Sequence, residues 1–254
     1  MIRCENLSIG YGRREVQHAL TMEFPSARLI ALVGPNGSGK STLMRTICGL
    51  QPALAGQVFL DGRPLPEFRP EQRARRFSLV LTGNVDIDYC TVEQLVSTGR
   101  SPHTGRFGHL EASDREAVAR ALQAVHLESF SQRPLRELSD GERQRALIAK
   151  ALAQDTDYIM LDEPTAHLDL PNRIEVMTLL RRLAHEEGKG VLLLTHELEL
   201  ALKLSDTLWL LRPDGGGLLS GTPAELLASD LLNQTFSNGY FSLDGEGRVT
   251  LNRQ

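Results

Sequence analysis

Eight consecutive residues, Gly34-Pro35-Asn36-Gly37-Ser38-Gly39-Lys40-Ser41, satisfy the pattern G-x-x-x-x-G-K-[ST]. The chemistry open to such a run is the binding of a nucleoside triphosphate. Its glycines let the backbone turn with amides pointing inward, where a Cβ would block the approach of a phosphate. The N–H groups of a following helix add partial positive charge. In this arrangement Lys40 reaches the β- and γ-phosphates, the Ser41 hydroxyl suits Mg²⁺, and Thr42 adds a contact to the α-phosphate. The candidate binding residues are therefore Gly34, Asn36, Gly37, Ser38, Gly39, Lys40, Ser41 and Thr42. A Gly-rich turn that binds nothing is the plain alternative.

A second constellation lies downstream. Tyr158-Ile159-Met160-Leu161 is an apolar run that ends in two carboxylates, Asp162 and Glu163. In parallel α/β sheets, ligands sit at the carboxyl ends of strands. Placed there, Asp162 would hold Mg²⁺ through water, and Glu163 would face the attacking water as general base. Two adjacent acids at a strand end are otherwise a solvated turn, and the phosphate pattern upstream tips the reading towards hydrolysis.

These groups need scaffolding to hold them. Ile2–Ile9 and Val16–Phe24 alternate as strands with one wet face, and Leu29–Val33 is a continuous apolar run suited to a strand buried on both sides. Ser41–Leu50 reads as a helix ending near Gly49, Val58–Leu60 as a strand turning at Asp61-Gly62, and Phe77–Leu81 as another strand. From about residue 84 to 155 the texture becomes helical: Thr91–Ser97, Ser113–Val125 with Ser113 and Glu116 as a capping box, and Asp140–Ala153. Strands return at Tyr158–Leu161, Val191–Leu194 and Leu208–Leu211, with a helix at Asn172–Glu187 closed by Gly188. Asp214–Gly217 reads as a hairpin turn, and Thr222-Pro223-Ala224-Glu225 opens a short helix.

Phosphate-loop proteins are diverse, and the choice among them comes from Leu138-Ser139-Asp140-Gly141-Glu142-Arg143-Gln144-Arg145. This segment resembles the signature of the ABC ATPases, usually written LSGGQ, and it lies 23 residues before Asp162 as in that family. Asp140 and Glu142 replace a glycine and the glutamine, while Ser139 and Gly141 are kept. The resemblance implies a P-loop NTPase core of the RecA-like α/β class, with an antiparallel β subdomain and an inserted helical subdomain. On this division residues 1–83 and 156–254 form the nucleotide-binding core, and residues 84–155 form the helical subdomain. It further implies that Ser139 and Gly141 close on the γ-phosphate held by a second copy of the chain. Thr165-Ala166-His167-Leu168-Asp169 is similar to the D-loop of the dimer seam, with Asp169 its chief member. His196, 34 residues past Asp162, matches the switch histidine that contacts the γ-phosphate and holds Glu163 in line. Tyr11, in Gly10-Tyr11-Gly12, matches the aromatic that stacks on adenine. The family also places a glutamine after the Phe77–Leu81 strand, where it ligates Mg²⁺ and senses the transmembrane partner. This chain has Thr82 there, a weaker Mg²⁺ ligand acting through water.

The composition agrees. Hydrophobic residues at 41% and charged residues at 24% are those of a globular chain, and a net charge of −4 offers no footprint for nucleic acid. Three scattered cysteines, Cys4, Cys48 and Cys90, contain no CxxC pair and fit a reducing compartment. No window reaches the roughly 18–20 apolar residues of a membrane span, and the N-terminus lacks the apolar run of a signal peptide. The expectation is a soluble intracellular subunit that meets the membrane through partners. Within the family the chain looks most like ATPases of importers for iron–siderophore complexes, haem and cobalamin, through the stretch Gly99–Gly108 and the segment Glu163–Asp169. The partners so implied are a second copy of itself, two permease subunits and, indirectly, a substrate-binding protein, at the cytoplasmic face of the inner membrane. An exporter motor, a soluble ABC protein of DNA repair or translation, and a non-hydrolysing scaffold are the rival readings. No residue names the cargo.

Overall fold

The computed structural model describes residues 1–81, 90–105, 108–166, 168–213, 215–236 and 241–251. In chain order, the first part comprises β1 (Ile2–Tyr11), β2 (Arg14–Phe24), β3 (Arg28–Val33), α1 (Lys40–Ile47), β4 (Ala55–Leu60), β5 (Arg63–Pro64), α2 (Pro70–Ala74) and β6 (Phe77–Val80). Three helices follow: α3 (Val92–Ser97), α4 (Ala112–Ala124) and α5 (Asp140–Ala153). The remainder alternates β7 (Tyr158–Asp162), α6 (Leu170–His185), β8 (Gly190–Leu194), α7 (Leu198–Leu204), β9 (Thr207–Leu211) and β10 (Leu218–Gly221). It ends with α8 (Pro223–Ala228), α9 (Leu231–Phe236), β11 (Phe241–Leu243) and β12 (Val249–Leu251).

The central sheet has the order β10-β9-β3-β8-β7-β6. Its strands run parallel except for β10, which turns back against β9. All residues of β7 and β8 are buried, and only Arg28 of β3 is exposed. The alternation along β3 shows why: Leu29 enters a core under α3–α6, Ala31 and Val33 face α7–α9, and Ile30 and Leu32 face a second sheet. That sheet is antiparallel, in the order β2-β1-β4-β5. Helix α1 lies in the core shared by the two sheets, burying Leu43, Met44 and Ile47. Each such side chain contributes roughly 2 kcal/mol of transfer free energy, so the loop before α1 is anchored at both ends.

Two helix starts differ from the sequence reading. The box that opens α4 is formed by Glu111 and Asp114, not by Ser113 and Glu116. Asp114 is buried and accepts from the Glu111 N–H at 3.0 Å and from Arg100 Nε at 2.8 Å, which pulls the start of the helix back by one residue. Helix α6 begins at Leu170 because Asp169 caps it, accepting from the Asn172 N–H, and Pro171 suits the first turn. Among the described residues no helix is long and apolar enough to cross a membrane.

Candidate functional site

Parallel pairing brings three strand ends to one edge of the sheet. Leu32 of β3 stands opposite Leu194 of β8, and Leu194 stands opposite Asp162 of β7. The phosphate-type loop leaves β3 there, the two acids leave β7, and His196 follows β8 by two residues. A cavity of about 390 Å³ opens at this edge, lined by Tyr11, Arg14, Val16, Asn36, Gly37, Gly39, Lys40, Ser41, Thr42, Glu163 and His196.

The loop is shaped by what it cannot carry. A Cβ on Gly34 would stand 2.4 Å from the Leu211 carbonyl oxygen. Gly39 caps α1 at φ +102° with no side-chain hydrogen bond to the first turn, so the helix amides are left facing the cavity. Ser38 Oγ is buried without a hydrogen-bond partner, and Lys40 Nζ donates to the loop's own carbonyls, Gly34 at 2.8 Å and Pro35 at 3.2 Å. Burial lowers the Lys40 pKa, opposed by the charges of Glu163 and Asp162. Thr42 Oγ1 donates to the hydroxyl of the half-exposed Tyr11 at 2.9 Å, tying the end of β1 to α1.

On the acidic side, Ser41 Oγ donates to Asp162 Oδ1 at 3.3 Å. Burial raises the Asp162 pKa, the Ser41 hydrogen bond opposes this, and the Glu163 charge adds to it. A hydroxyl and a carboxylate side by side are hard oxygen donors, and together they fit Mg²⁺. Glu163 sits at φ +49°, a conformation held by its N–H bond to the Leu194 carbonyl at 3.0 Å. Its Oε1 lies 2.7 Å from His196 Nε2. A carboxylate in contact with an imidazole beside a phosphate cradle can accept and hold a proton from water.

Ser139, Gly141 and Asp169 are not among the residues lining this cavity. Ser139 caps α5 and is bound to Glu142, accepting from its N–H at 3.3 Å and donating Oγ–H to Oε2 at 2.8 Å. Gly141 is buried against Asn172, whose Cγ a Cβ would meet at 3.0 Å. Asp169 caps α6. Thr82, Arg106, Phe107, His167 and Asp214 lie outside the described residues. His103 is joined through Nε2 to the Gln154 carbonyl at 2.8 Å.

One residue of the site was invisible to motif reading. Gln17 is fully buried, donates from Nε2 to the carbonyls of Ser38 and Arg212, and accepts from the Gly217 N–H at 3.0 Å. It staples the phosphate-type loop to the β9–β10 hairpin. A bulge at Ala19, φ +50°, lets Gln17 and Leu20 both face inward. The available signal was a lone amide in an otherwise alternating strand.

Comparisons with known proteins agree with this geometry. The family model described as ABC transporter matches residues 17–166. The iron(3+)-hydroxamate import ATP-binding protein of Bacillus subtilis (strain 168) is 37% identical over 232 residues, covering 91% of this chain and 86% of that protein. A chain of an inward-facing metal-chelate type ABC transporter superposes with a TM-score of 0.83 at 25% identity, covering 100% of this chain and 98% of that one. A dimeric ATP-binding cassette in a post-hydrolysis state, bound to ADP and Pi, superposes with a TM-score of 0.74 at 25% identity, covering 88% of this chain and 99% of that one.

Proposed function

The chain belongs to the ABC transporter family, and from that premise we propose that it is the ATP-hydrolysing subunit of an importer, driving uptake of a metal chelate through a separate permease. The observation that carries the reading is the Glu163–His196 contact of 2.7 Å at the mouth of the phosphate-type loop. The loop amides from Gly34 to Gly39 receive the β- and γ-phosphates, and Lys40 exchanges its two carbonyl partners for phosphate oxygens. Thr42 serves the α-phosphate and Tyr11 the adenine. Ser41 and Asp162, with Thr82 as a further oxygen, would hold Mg²⁺, which when bound draws charge from the phosphate oxygens.

Glu163 takes a proton from the water whose oxygen forms the new bond to the γ-phosphorus, as the bond from that phosphorus to the β–γ bridging oxygen breaks. His196 holds the carboxylate in place. The anion site at Ser139 and Gly141 is supplied by a second copy, with Asp169 at the seam. This fits their absence from the lining of the chain's own cavity and the dimeric state of the related cassette. Residues 1–83 and 156–254 act as the nucleotide core, and 84–155 as the lobe that meets two permease subunits at the cytoplasmic face of the membrane. A substrate-binding protein delivers the cargo on the other side.

The Bacillus subtilis relative is named for iron(3+)-hydroxamate import and the full-length structural neighbour is of metal-chelate type. The relative's name favours uptake of an iron–siderophore over haem or cobalamin, and import over export, while the neighbour's supports a metal chelate without choosing among them. Replacing Glu163 with Gln tests the mechanism. ATP binding should persist, turnover should fall at least about 100-fold, and gel filtration with ATP should show a stable dimer. Wild-type turnover would overturn the base assignment. Uptake of labelled iron hydroxamate, haem and cobalamin by a deletion strain discriminates the cargo.

A further inference from the structure

Arg173 lies in the first turn of α6 and directs its guanidinium back towards the β8 edge. Nε donates to the Leu168 carbonyl at 2.6 Å, and Nη1 donates to Glu197 Oε1 at 2.7 Å. One planar group therefore joins the backbone just before Asp169 to the residue just after His196. Glu197 is fixed at its own backbone too, its N–H donating to Thr195 Oγ1 at 2.9 Å. The next link is the His196–Glu163 contact.

The need for such a tie follows from what surrounds His196. Its side chain is 44% exposed, so packing does not set its orientation. A groove of about 820 Å³, lined in part by Leu170, Ile174, Thr195 and Leu198, runs beside it and leaves room to swing. The segment after β8 is thus held by its ends and by the Glu197 carboxylate. An ion pair this exposed adds little stability. The two-pronged use of the guanidinium sets a direction instead, which an ammonium cannot reproduce.

We propose that Arg173 is a positioning residue for hydrolysis: it relays the placement of the Leu168–Asp169 segment, where a second copy is received, to His196 and so to Glu163. This rests on the reading of the chain as a dimeric ATPase. A second copy bearing on Asp169 shifts the Leu168 carbonyl, the carbonyl draws the guanidinium, and the guanidinium carries Glu197 and the backbone of His196.

The experiment is a double-mutant cycle of Arg173→Gln and Glu197→Gln, with Arg173→Lys added, in the full chain with Mg-ATP. Each single Gln variant should lower kcat about tenfold, with half-saturating ATP and fluorescent-ATP affinity within about twofold of wild type. The double variant should be no worse than either single one, because both cut the same link. Lys at 173 should recover kcat only in part, since it can pair with Glu197 without also serving Leu168. The melting temperature should hold within about 2 °C. A kcat for Arg173→Gln above half of wild type would overturn the proposal. So would losses that multiply in the double variant, or a kcat loss matched by loss of ATP affinity or of melting temperature. Wild type and Lys40→Ala in the same assay separate the two levels: wild-type turnover that is absent, or that is unchanged by Lys40→Ala and so arises outside this site, refutes the ATPase reading, whatever Arg173 does.

Discussion

Two helices begin with a serine- and glycine-rich turn that could receive a phosphate, and they are finished in opposite ways. Helix α1 starts at Gly39 with no side-chain cap and no acidic residue in its first turn. Helix α5 starts at Ser139 with a complete capping box, and Asp140 and Glu142 stand in its first turn. The first leaves its amides and partial positive charge unmet. The second satisfies them internally, and the Ser139 backbone N–H and hydroxyl hold the Glu142 carboxyl below the usual carboxylate range. An open cradle is therefore built at one helix end, while in the composite site proposed above the other helix end would exchange its own carboxylate for an incoming anion. The asymmetry suits a composite site in which nucleotide binds first to the open cradle and the capped end arrives afterwards.

The sharpest way to break this contrast is to disarm the open end. Lys40→Ala should abolish ATP binding and lower turnover by at least about 100-fold, measured by fluorescent nucleotide binding and phosphate release. Asp162→Asn should cut turnover comparably while making the unliganded chain more stable. Burial and the adjacent Glu163 raise the Asp162 pKa against the opposing Ser41 hydrogen bond, so the ionised group is held at a cost. The folded chain keeps this proton to a higher pH than the unfolded chain, whose carboxyl titrates near about 3.9. The group thus adds stability as pH falls through its raised pKa, and that gain is complete below the unfolded value. Asn at 162 should raise the melting temperature at neutral pH by about 3 °C and flatten this part of the pH profile. A lower melting temperature would mean that the Ser41–Asp162 bond outweighs the burial.

The open cradle was legible because its requirements are local. Gly34, Gly39 and Lys40 fall within one turn of backbone, so their pattern stood out alone, while Asp162 and Glu163 end one apolar strand and stood out beside that pattern. The buried run Leu29–Val33 announced the central strand for the same reason. What escaped depends on residues far apart in sequence. Arg100 carries no signal of burial in the sequence, yet it is buried, donating to Asp114 and to the Ala153 carbonyl at 2.8 Å each. The register of α4 follows from that pairing rather than from Ser113. Helix α7 carries no side-chain cap to announce it, whereas β11 and β12 did carry a turn signal, Asp244-Gly245, between two short alternating runs. Gln17 is the clearest case, because only the bulge at Ala19 turns its amide inward. Gln17→Leu, matched in size, should leave three backbone groups of the loop and hairpin unpaired. Half-saturating ATP should rise about tenfold with a smaller change in kcat. An unchanged ATP dependence would show that the open cradle holds its shape without the staple.

The smallest effect tests the capped end. Glu142→Gln keeps an oxygen to accept from the Ser139 N–H, so the box survives in neutral form and the fold should lose less than about 1 kcal/mol. What changes is the charge beside the serine. In the wild-type chain Oγ of Ser139 donates to a carboxylate, and an arriving γ-phosphate must displace that acceptor while approaching a like charge. With an amide in its place the hydroxyl is released more easily and the repulsion is gone, although Asp140 keeps its own charge on the same turn. Half-saturating ATP for turnover, which includes the closing of two chains, should therefore fall about threefold. Nucleotide binding to a chain that cannot dimerise should stay the same. Equal shifts in both measurements would place the effect in the open cradle and remove the distinction between the two helix ends.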